Sequence, residues 1–309
     1  MNGHSADYRV VCLSETLSPC THMKGVSGNE AMIMRESVVT PRGVAWVPSL
    51  SGNAIRHRLI REPGMRWLVG QYDLRGKLTL QQLNFFFHGG NLTEGGGREN
   101  TARIADFQRL FPLGRLLGGT LPDQILSGSL QVWGGALVCE ENRGYLATVL
   151  GDGEWLPSRL RPAESFVSGY QYTRGDSVIS QIDLLPSPNG IDAPADASNL
   201  MIFAGQAVTR GAAFLHGFSL PHVSVLELGA LLWSLTLWQR GGGTIGGQAA
   251  KGHGRLALSY LMDDGVDGEA AIDAYLDHAR SVSTEAVAWL HDVFAPKAEK
   301  PPKKGKGAA

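Results

Sequence analysis

The residues best suited to chemistry lie in one glycine-rich stretch, "GGGTIGGQAAKGHGR" at 241–255. Lys251, His253 and Arg255 supply positive charge, and glycines without a Cβ let a ligand approach the backbone N–H groups. Cations and exposed N–H groups together bind phosphate. The same glycines also suit a tight turn between packed elements. Taken alone, the stretch predicts a phosphate-binding loop and a packing turn equally.

Nucleotide-binding fingerprints fit this stretch poorly. The letters "GGGTIG" at 241–246 match G-x-G-x-x-G, but that fingerprint requires a strand before it and a helix after it. Here an apolar helical pattern at 224–239 precedes the glycines, and an alternating strand pattern at 255–262 follows them. No G-K-[ST] closes a Walker A motif. A metabolic enzyme with a glycine-rich ligand loop is therefore the least favoured alternative.

A second basic group lies in "WVPSLSGNAIRHRLIRE", which predicts a short strand, a turn and a helix. Ser51 is a candidate helix cap, and Asn53 follows in the same turn. At 3.6 residues per turn, Arg58 and Arg61 share a face, with Arg56 near the helix start. The N–H groups of that start form an additional anion site. A solvated helix face and a phosphate-binding face both fit this pattern.

Charge is unevenly distributed along the 309 residues, although the net charge is only −1. Residues 1–120 carry 14 Lys and Arg against nine Asp and Glu, whereas residues 262–292 carry eight acids and one arginine. The net charge disfavours a simple polyanion binder, but the asymmetry permits a local basic groove. The last residues, 296–309, are rich in Lys, Pro and Gly and are expected to form a disordered basic tail.

Cysteine usage and hydropathy indicate a cytoplasmic protein without a membrane partner. Cys12, Cys20 and Cys139 have no metal or redox spacing and are expected to be free thiols. The N-terminus is polar, and the most apolar segment, 220–238, is interrupted by Pro and Glu. No cofactor and no metal site are expected.

The elements that position these residues alternate between strands and helices. A first strand is predicted at 7–18 and a final helix at about 268–294. Between 165 and 215, two extended segments are joined by a polar connection containing Pro, Asn and Gly, which predicts a long hairpin. This order indicates an α+β fold with an antiparallel sheet.

Two segments together resemble a known family. "IGGQAAKGHGRLALS" is similar to the C-terminal glycine-rich motif of the repeat-associated mysterious protein (RAMP) superfamily of CRISPR systems, and "WVPSLSGNAIRHRLIRE" is similar to its other signature. "AVTRGAAFLHGFSL" and the helix after it stand where these proteins place a strand and a helix. The order covers about residues 8–262. The chain most resembles the backbone subunit, the seventh Cas family, of the type IV branch, with type III as neighbour.

The resemblance implies an RRM-like (ferredoxin-like) palm within one domain, 1–295. A finger-like helical region is expected as an insertion at about 62–165, and a β-hairpin thumb at about 174–208. Several copies would bind a guide (cr)RNA as a helical filament. Through the guide they would present bases to target DNA or RNA, together with other CRISPR effector subunits.

The resemblance also implies which residues contact RNA. A thumb requires an apolar wedge that unstacks bases, for which the candidates are Ile182, Leu184, Met201 and Ile202. The expected RNA-binding residues are Lys24, Arg35, Ser51, Asn53, Arg56, Arg58, Arg61, Arg174, Arg210, Gly246, Gly247, Lys251, His253 and Arg255.

Catalysis is not expected. In type III relatives, the loop after the first strand carries an Asp that promotes cleavage of target RNA, whereas here the loop 18–37 contains Glu30 and Glu36 but no Asp. Glu30 is a carboxylate that could support cleavage, so a target-cleaving type III-like subunit remains an alternative. A guide-RNA processing endoribonuclease of the same superfamily is the other; it would bind one RNA hairpin as a monomer and use a catalytic His.

Overall fold

The fold is built around a long antiparallel sheet. The structure, a computed structural model, describes residues 5–27, 30–93, 100–151, 159–174 and 201–295. The described strands are β1 (Ala6–Thr16), β2 (Met23–Ser27), β3 (Glu30–Ile33), β4 (Arg35–Thr40), β5 (Gly43–Leu50), β6 (Gly119–Thr120), β7 (Ile125–Leu126), β8 (Gln131–Leu137), β9 (Val167–Arg174), β10 (Met201–Val208), β11 (Ala213–Val223) and β12 (Leu256–Met262).

Helices that contribute to the large core cover one face of this sheet, and one helix, Arg143–Leu150, packs on the other face. One continuous helix, 52–71, comprises α1 (Gly52–Ile55), a π-helical turn (Arg56–Arg61) and α2 (Glu62–Gln71). The other α-helices are α3 (Leu80–His88), α4 (Thr101–Leu110), α5 (Pro112–Leu117), α6 (Arg143–Leu150), α7 (Val225–Arg240) and α8 (Gly268–Val293). Short 3₁₀ turns occupy Ala163–Phe166 and Ala249–Lys251.

The main sheet has the strand order β12-β1-β11-β8-β5-β4, and all its pairs are antiparallel. The helix 52–71 lies between β1 and β8 in the chain, and α7 lies between β11 and β12. These elements therefore repeat the β-α-β-β-α-β order of a ferredoxin-like fold, with its four strands in spatial order 4-1-3-2. The predicted α+β class and RRM-like palm are confirmed, and the hairpin of β4 and β5 extends the sheet beyond β8.

Buried side chains of β1 alternate between two hydrophobic clusters, one on each face of the main sheet. Val10 and Cys12 are fully buried in the large core beneath the helices, whereas Val11 belongs to a smaller cluster that also contains Leu146 of α6. Successive residues of a strand point to opposite faces. The large core is continuous from the sheet to α8, where Tyr275 packs against Trp67 with ring centroids 5.5 Å apart.

The two strands at the root of the predicted long hairpin, β9 and β10, are present. β9 and β10 pair antiparallel from Val167–Val208 to Arg174–Met201, within a second sheet of order β2-β3-β10-β9. The N–H of Cys20 donates to the Val208 carbonyl at 2.8 Å, and the Val208 N–H donates back to Cys20 at 2.9 Å. These bonds attach the hairpin to the chain leaving β1. Residues 175–200 lie outside the described part.

The two predicted insertions can be located on the described elements. The first strand of the hairpin, β9, begins at Val167, ahead of the thumb predicted at about 174–208. Within the insertion predicted at about 62–165, β8 is a central strand of the main sheet, and Phe86, Phe107 and Phe111 are buried in the main core. The predicted tail, 296–309, lies outside the described residues. Among the helices that the structure describes, none combines the length and apolar character needed to cross a membrane.

Candidate nucleic-acid interface

The glycine-rich stretch 241–255, here called the glycine loop, packs tightly against the chain that leaves β1. Gly246 has φ +82°, and a Cβ at this position would lie 2.6 Å from the Thr21 carbonyl oxygen; at Gly254 (φ +78°), a Cβ would lie 2.1 Å from the Ile245 carbonyl oxygen. Only glycine tolerates both the left-handed conformation and these contacts. Several of the glycines are therefore explained by packing alone.

Backbone N–H groups of the loop also serve the fold. Gly247 donates to the Thr21 carbonyl at 2.8 Å, and Gly254 donates to the Pro19 carbonyl at 2.8 Å. The Arg255 N–H donates to the Ser18 hydroxyl oxygen at 3.0 Å. At Gly247 and Gly254 the expected phosphate-binding N–H groups are thus already hydrogen-bonded. The loop's remaining binding capacity lies mainly in its side chains.

Three aromatic rings at the root of the hairpin, here called the aromatic row, are Tyr170 and Tyr172 of β9 and Phe203 of β10. Side chains of the glycine loop contact Tyr170 and Tyr172. The rings of Tyr170 and Tyr172 are 6.3 Å apart and within 5° of parallel, and Tyr172 and Phe203 are 5.2 Å apart at 13°. All three rings are half-buried. The glycine loop reaches them through Lys251, whose Nζ lies 3.0 Å from the Tyr172 ring centroid.

Two further contacts hold Tyr170 in place. Gln248 Nε2 donates to the Tyr170 hydroxyl at 2.5 Å, and the His253 ring meets the Tyr170 ring edge-on with centroids 5.1 Å apart. Burial and the nearby Lys251 charge lower the pKa of His253, which disfavours the charged form of its imidazole. In the free protein His253 contacts the aromatic row through its ring.

Sequence analysis missed the aromatic row. Its signal was the pair of tyrosines in "GYQYTR", which alternation places on one face of a strand. What the sequence does not reveal is that the cross-strand partner of Tyr172 is Phe203 and that the glycine loop contacts the Tyr172 ring.

The arginines of the helix 52–71 are engaged within the protein. Arg56 donates to the Leu117 carbonyl, and Arg61, only 6 % exposed, donates to the Phe86 carbonyl at 3.3 Å. Arg58 pairs with Glu62 at 2.6 Å. Burial and the neighbouring Arg56 lower the pKa of Arg61 to about 10. The 3.6-residue spacing that would place Arg58 and Arg61 on one face does not apply here, because a π-helical turn has more residues per turn. Arg61 is buried, whereas Arg58 is half-buried.

Ser51 acts as the helix cap. Its hydroxyl accepts a hydrogen bond from the Ala54 N–H at 3.3 Å, and its own N–H donates to His22 Nε2 at 3.1 Å. Burial lowers the pKa of His22, which keeps that nitrogen an acceptor. Asn53 is exposed in the first helical turn.

The remaining predicted cations differ in their surroundings. Arg35 pairs with Glu164 at 2.5 Å and donates to the Trp46 carbonyl at 3.3 Å. Lys24, Lys251 and Arg255 are exposed, and across the residues with a described position none of them pairs with a carboxylate. Lys24 is on β2, whose Met23 would lie 3.2 Å from a Cβ placed on Gly247.

Hairpin residues are only partly described. Ile182 and Leu184 lie outside the described residues, and so do the side chains of Arg174 and Met201. Ile202 is 58 % exposed on β10 opposite Thr173, and Arg210 is exposed in the turn before β11. Glu30 is exposed at the start of β3, beside Ala204. Among described residues, no three His, Cys, Asp or Glu side chains come close enough to hold a metal ion.

Comparison with known proteins identifies a shared fold. No protein-family model and no curated protein sequence matches this chain. A solved structure described as "Type IV-B CRISPR Complex" contains a chain that matches with a TM-score of 0.55 at 14 % identity. The match covers 84 % of this chain and 92 % of that chain. At this identity the likeness extends to the fold, over most of both chains.

Proposed function

We propose that this protein is a non-catalytic, RNA-binding backbone subunit of a CRISPR effector ribonucleoprotein of the type IV branch. Several copies bind a guide (cr)RNA independently of its sequence, form a helical filament along it, and present it for pairing with a nucleic-acid target beside other effector subunits. One observation carries the proposal: in a fold shared with a chain of a type IV-B CRISPR complex, an exposed lysine of the glycine loop lies on a half-exposed row of aromatic rings.

The chemistry of this surface suits single-stranded nucleic acid. Lys24, Lys251 and Arg255 neutralise phosphates, and the aromatic row offers ring faces on which any base stacks. Cations and ring faces do not distinguish one base from another, so binding of this kind is independent of sequence. Specificity then comes from base pairing by the guide.

The helix arginines make a poor test of the proposal. Arg56 and Arg61 bind carbonyl oxygens of the palm, so replacing them disturbs the fold together with any RNA contact. Lys24, Lys251 and Arg255 are exposed and unpaired among the described residues, and their substitution leaves the core intact. Arg42, exposed at the tip of the hairpin of β4 and β5, is a matched control cation.

The test is a salt-dependent titration of purified protein with labelled single-stranded RNAs of two unrelated sequences. Each of Lys24→Ala, Lys251→Ala and Arg255→Ala is expected to lower the affinity for both RNAs by a similar factor. The slope of log affinity against log salt should fall by up to about one for each lost phosphate contact. Arg42→Ala should leave affinity and slope unchanged.

Other outcomes would contradict the proposal. Losses confined to one RNA sequence would indicate direct base readout, and wild-type protein that binds neither RNA would remove RNA binding altogether. RNA cut by the wild type but left intact by Glu30→Gln would favour the target-cleaving alternative. Tight binding of one RNA hairpin by a monomer, with its cleavage, would favour the processing endoribonuclease.

A further inference from the structure

One face of the Tyr172 ring is covered by the Lys251 ammonium group, which lies 3.0 Å from the ring centroid. The two groups come from different elements, because Tyr172 is on β9 and Lys251 ends the 3₁₀ turn of the glycine loop. A cation over an aromatic ring occupies the position that a stacked nucleobase would take.

The ring belongs to a fixed platform. Tyr172 pairs across the sheet with Phe203 and stacks on it at 5.2 Å. Its neighbour Tyr170 is held by Gln248 and lies over Gly205, where a Cβ would be 2.4 Å from the Tyr170 hydroxyl oxygen. Contacts from the sheet and from the glycine loop therefore hold the ring planes of the platform in the free protein.

Lys251, in contrast, is a movable cover. Its side chain is exposed and, within the described residues, pairs with no carboxylate. Four flexible bonds allow the ammonium group to swing away from the ring while the backbone stays in place.

We propose that Tyr172 is a nucleobase-stacking site whose ring face Lys251 covers in the free protein and vacates when RNA binds. The base takes the place of the ammonium group, and the ammonium group moves onto a phosphate of the same strand. This inference rests on the proposed function, since it takes RNA as the ligand. The exchange is favourable because stacking of a base on an aromatic ring exceeds an exposed cation–π contact, and the lysine gains a phosphate in return.

Binding measurements distinguish a contact with a base from a contact with a phosphate. Single-stranded RNA and an abasic strand of the same length are titrated against wild type, Tyr172→Phe and Tyr172→Leu. Tyr172→Leu is expected to weaken the base-containing strand about tenfold while binding the abasic strand as the wild type does. Tyr172→Phe, which keeps the ring, should bind both strands normally. Lys251→Met should weaken both strands, because it removes a phosphate contact.

Movement of the lysine is followed by NMR of lysine-labelled protein. In the free protein the Lys251 side-chain resonances should show an upfield ring-current shift that Tyr172→Leu abolishes, and base-containing RNA should abolish it in the wild type. A shift that persists in the RNA complex overturns the exchange. Equal weakening of both strands by Tyr172→Leu overturns the stacking site while leaving RNA binding standing. Wild-type protein that binds neither strand overturns the proposed function itself.

Discussion

Similar cationic side chains serve different purposes in this protein, and burial decides which. Arg61 is almost fully enclosed and ties the helix 52–71 to the Phe86 carbonyl. Lys251 is exposed and rests on an aromatic ring. Both were candidate RNA contacts on sequence grounds, yet only the exposed one can reach a phosphate without disrupting the core.

His216 shows how burial of a single ionisable group affects stability. It is fully buried on β11, with its Nε2 2.9 Å from the Ser14 hydroxyl oxygen, and burial lowers its pKa to about 4. In the unfolded chain the pKa of His216 has its ordinary value of 6.5. Below this pH the unfolded chain binds a proton that the folded protein does not, so the free energy of unfolding falls as pH falls from 6.5 toward 4, by about 3 kcal/mol in total.

Urea unfolding at pH 7 and at pH 4.5 tests this prediction. His216→Gln should lose less stability than the wild type between the two pH values, by about 2 to 3 kcal/mol. His291→Gln, which changes an exposed histidine of α8, should keep the wild-type pH dependence. An unchanged pH dependence in His216→Gln would show that folding does not lower the pKa of His216.

At the scale of single elements, the conformation of the glycine loop depends on its glycines. Gly246 and Gly252 have almost the same conformation, with φ +82° and +85°. They differ in surroundings, because a Cβ on Gly246 would meet the Thr21 backbone whereas nothing lies within 4 Å of a Cβ on Gly252. The pair therefore separates backbone strain from close packing.

Gly252→Ala is expected to lower the free energy of unfolding by about 1 to 2 kcal/mol, the cost of a left-handed non-glycine residue. Gly246→Ala should cost more, by a further 1 to 3 kcal/mol or so, because the loop must move away from Thr21. Urea unfolding at neutral pH measures both. Equal losses would mean that the loop tolerates displacement and that close approach is not why glycine occupies position 246.

For the molecule as a whole, one exposed apolar face is relevant to the proposed assembly. Val39 and Val44 are paired across β4 and β5 and are 84 % and 65 % exposed, and Trp46, on the same face, is 58 % exposed. Clustered apolar side chains of this kind mark surfaces that other proteins cover. Under the proposed function, this face would contact a neighbouring copy of the protein on the guide RNA.

Val39→Asp and Trp46→Asp are therefore expected to reduce the mass of the RNA-bound assembly, measured by light scattering, while single-site RNA affinity stays within about twofold. Leu80→Asp, at an 81 % exposed position that begins α3, is the matched control and should leave the assembly mass unchanged. Assemblies of wild-type mass in both β-hairpin variants would exclude this face from the contact between copies.

Much of the architecture was readable from local pattern. Apolar alternation predicted β1 and β12, helical periodicity predicted α7 and α8, and the order of these elements indicated an α+β palm with a long hairpin. Such signals are short-range, because they depend on how neighbouring residues share one face of one element. The arginines after Ser51 were likewise correctly assigned to a helix, although the π-helical turn that separates their directions left no mark in the sequence.

Contacts between distant segments could not be read in this way. Tyr172, Phe203 and Lys251 come from three places in the chain and meet only because β9 pairs with β10 and the glycine loop packs on the segment after β1. Burial of Arg61 beneath α3 has the same origin. The sequence by itself supplies the cations and the aromatic side chains. Which of them meet, and which cations remain exposed, is decided by long-range packing, since burial depends on all the elements that surround a side chain.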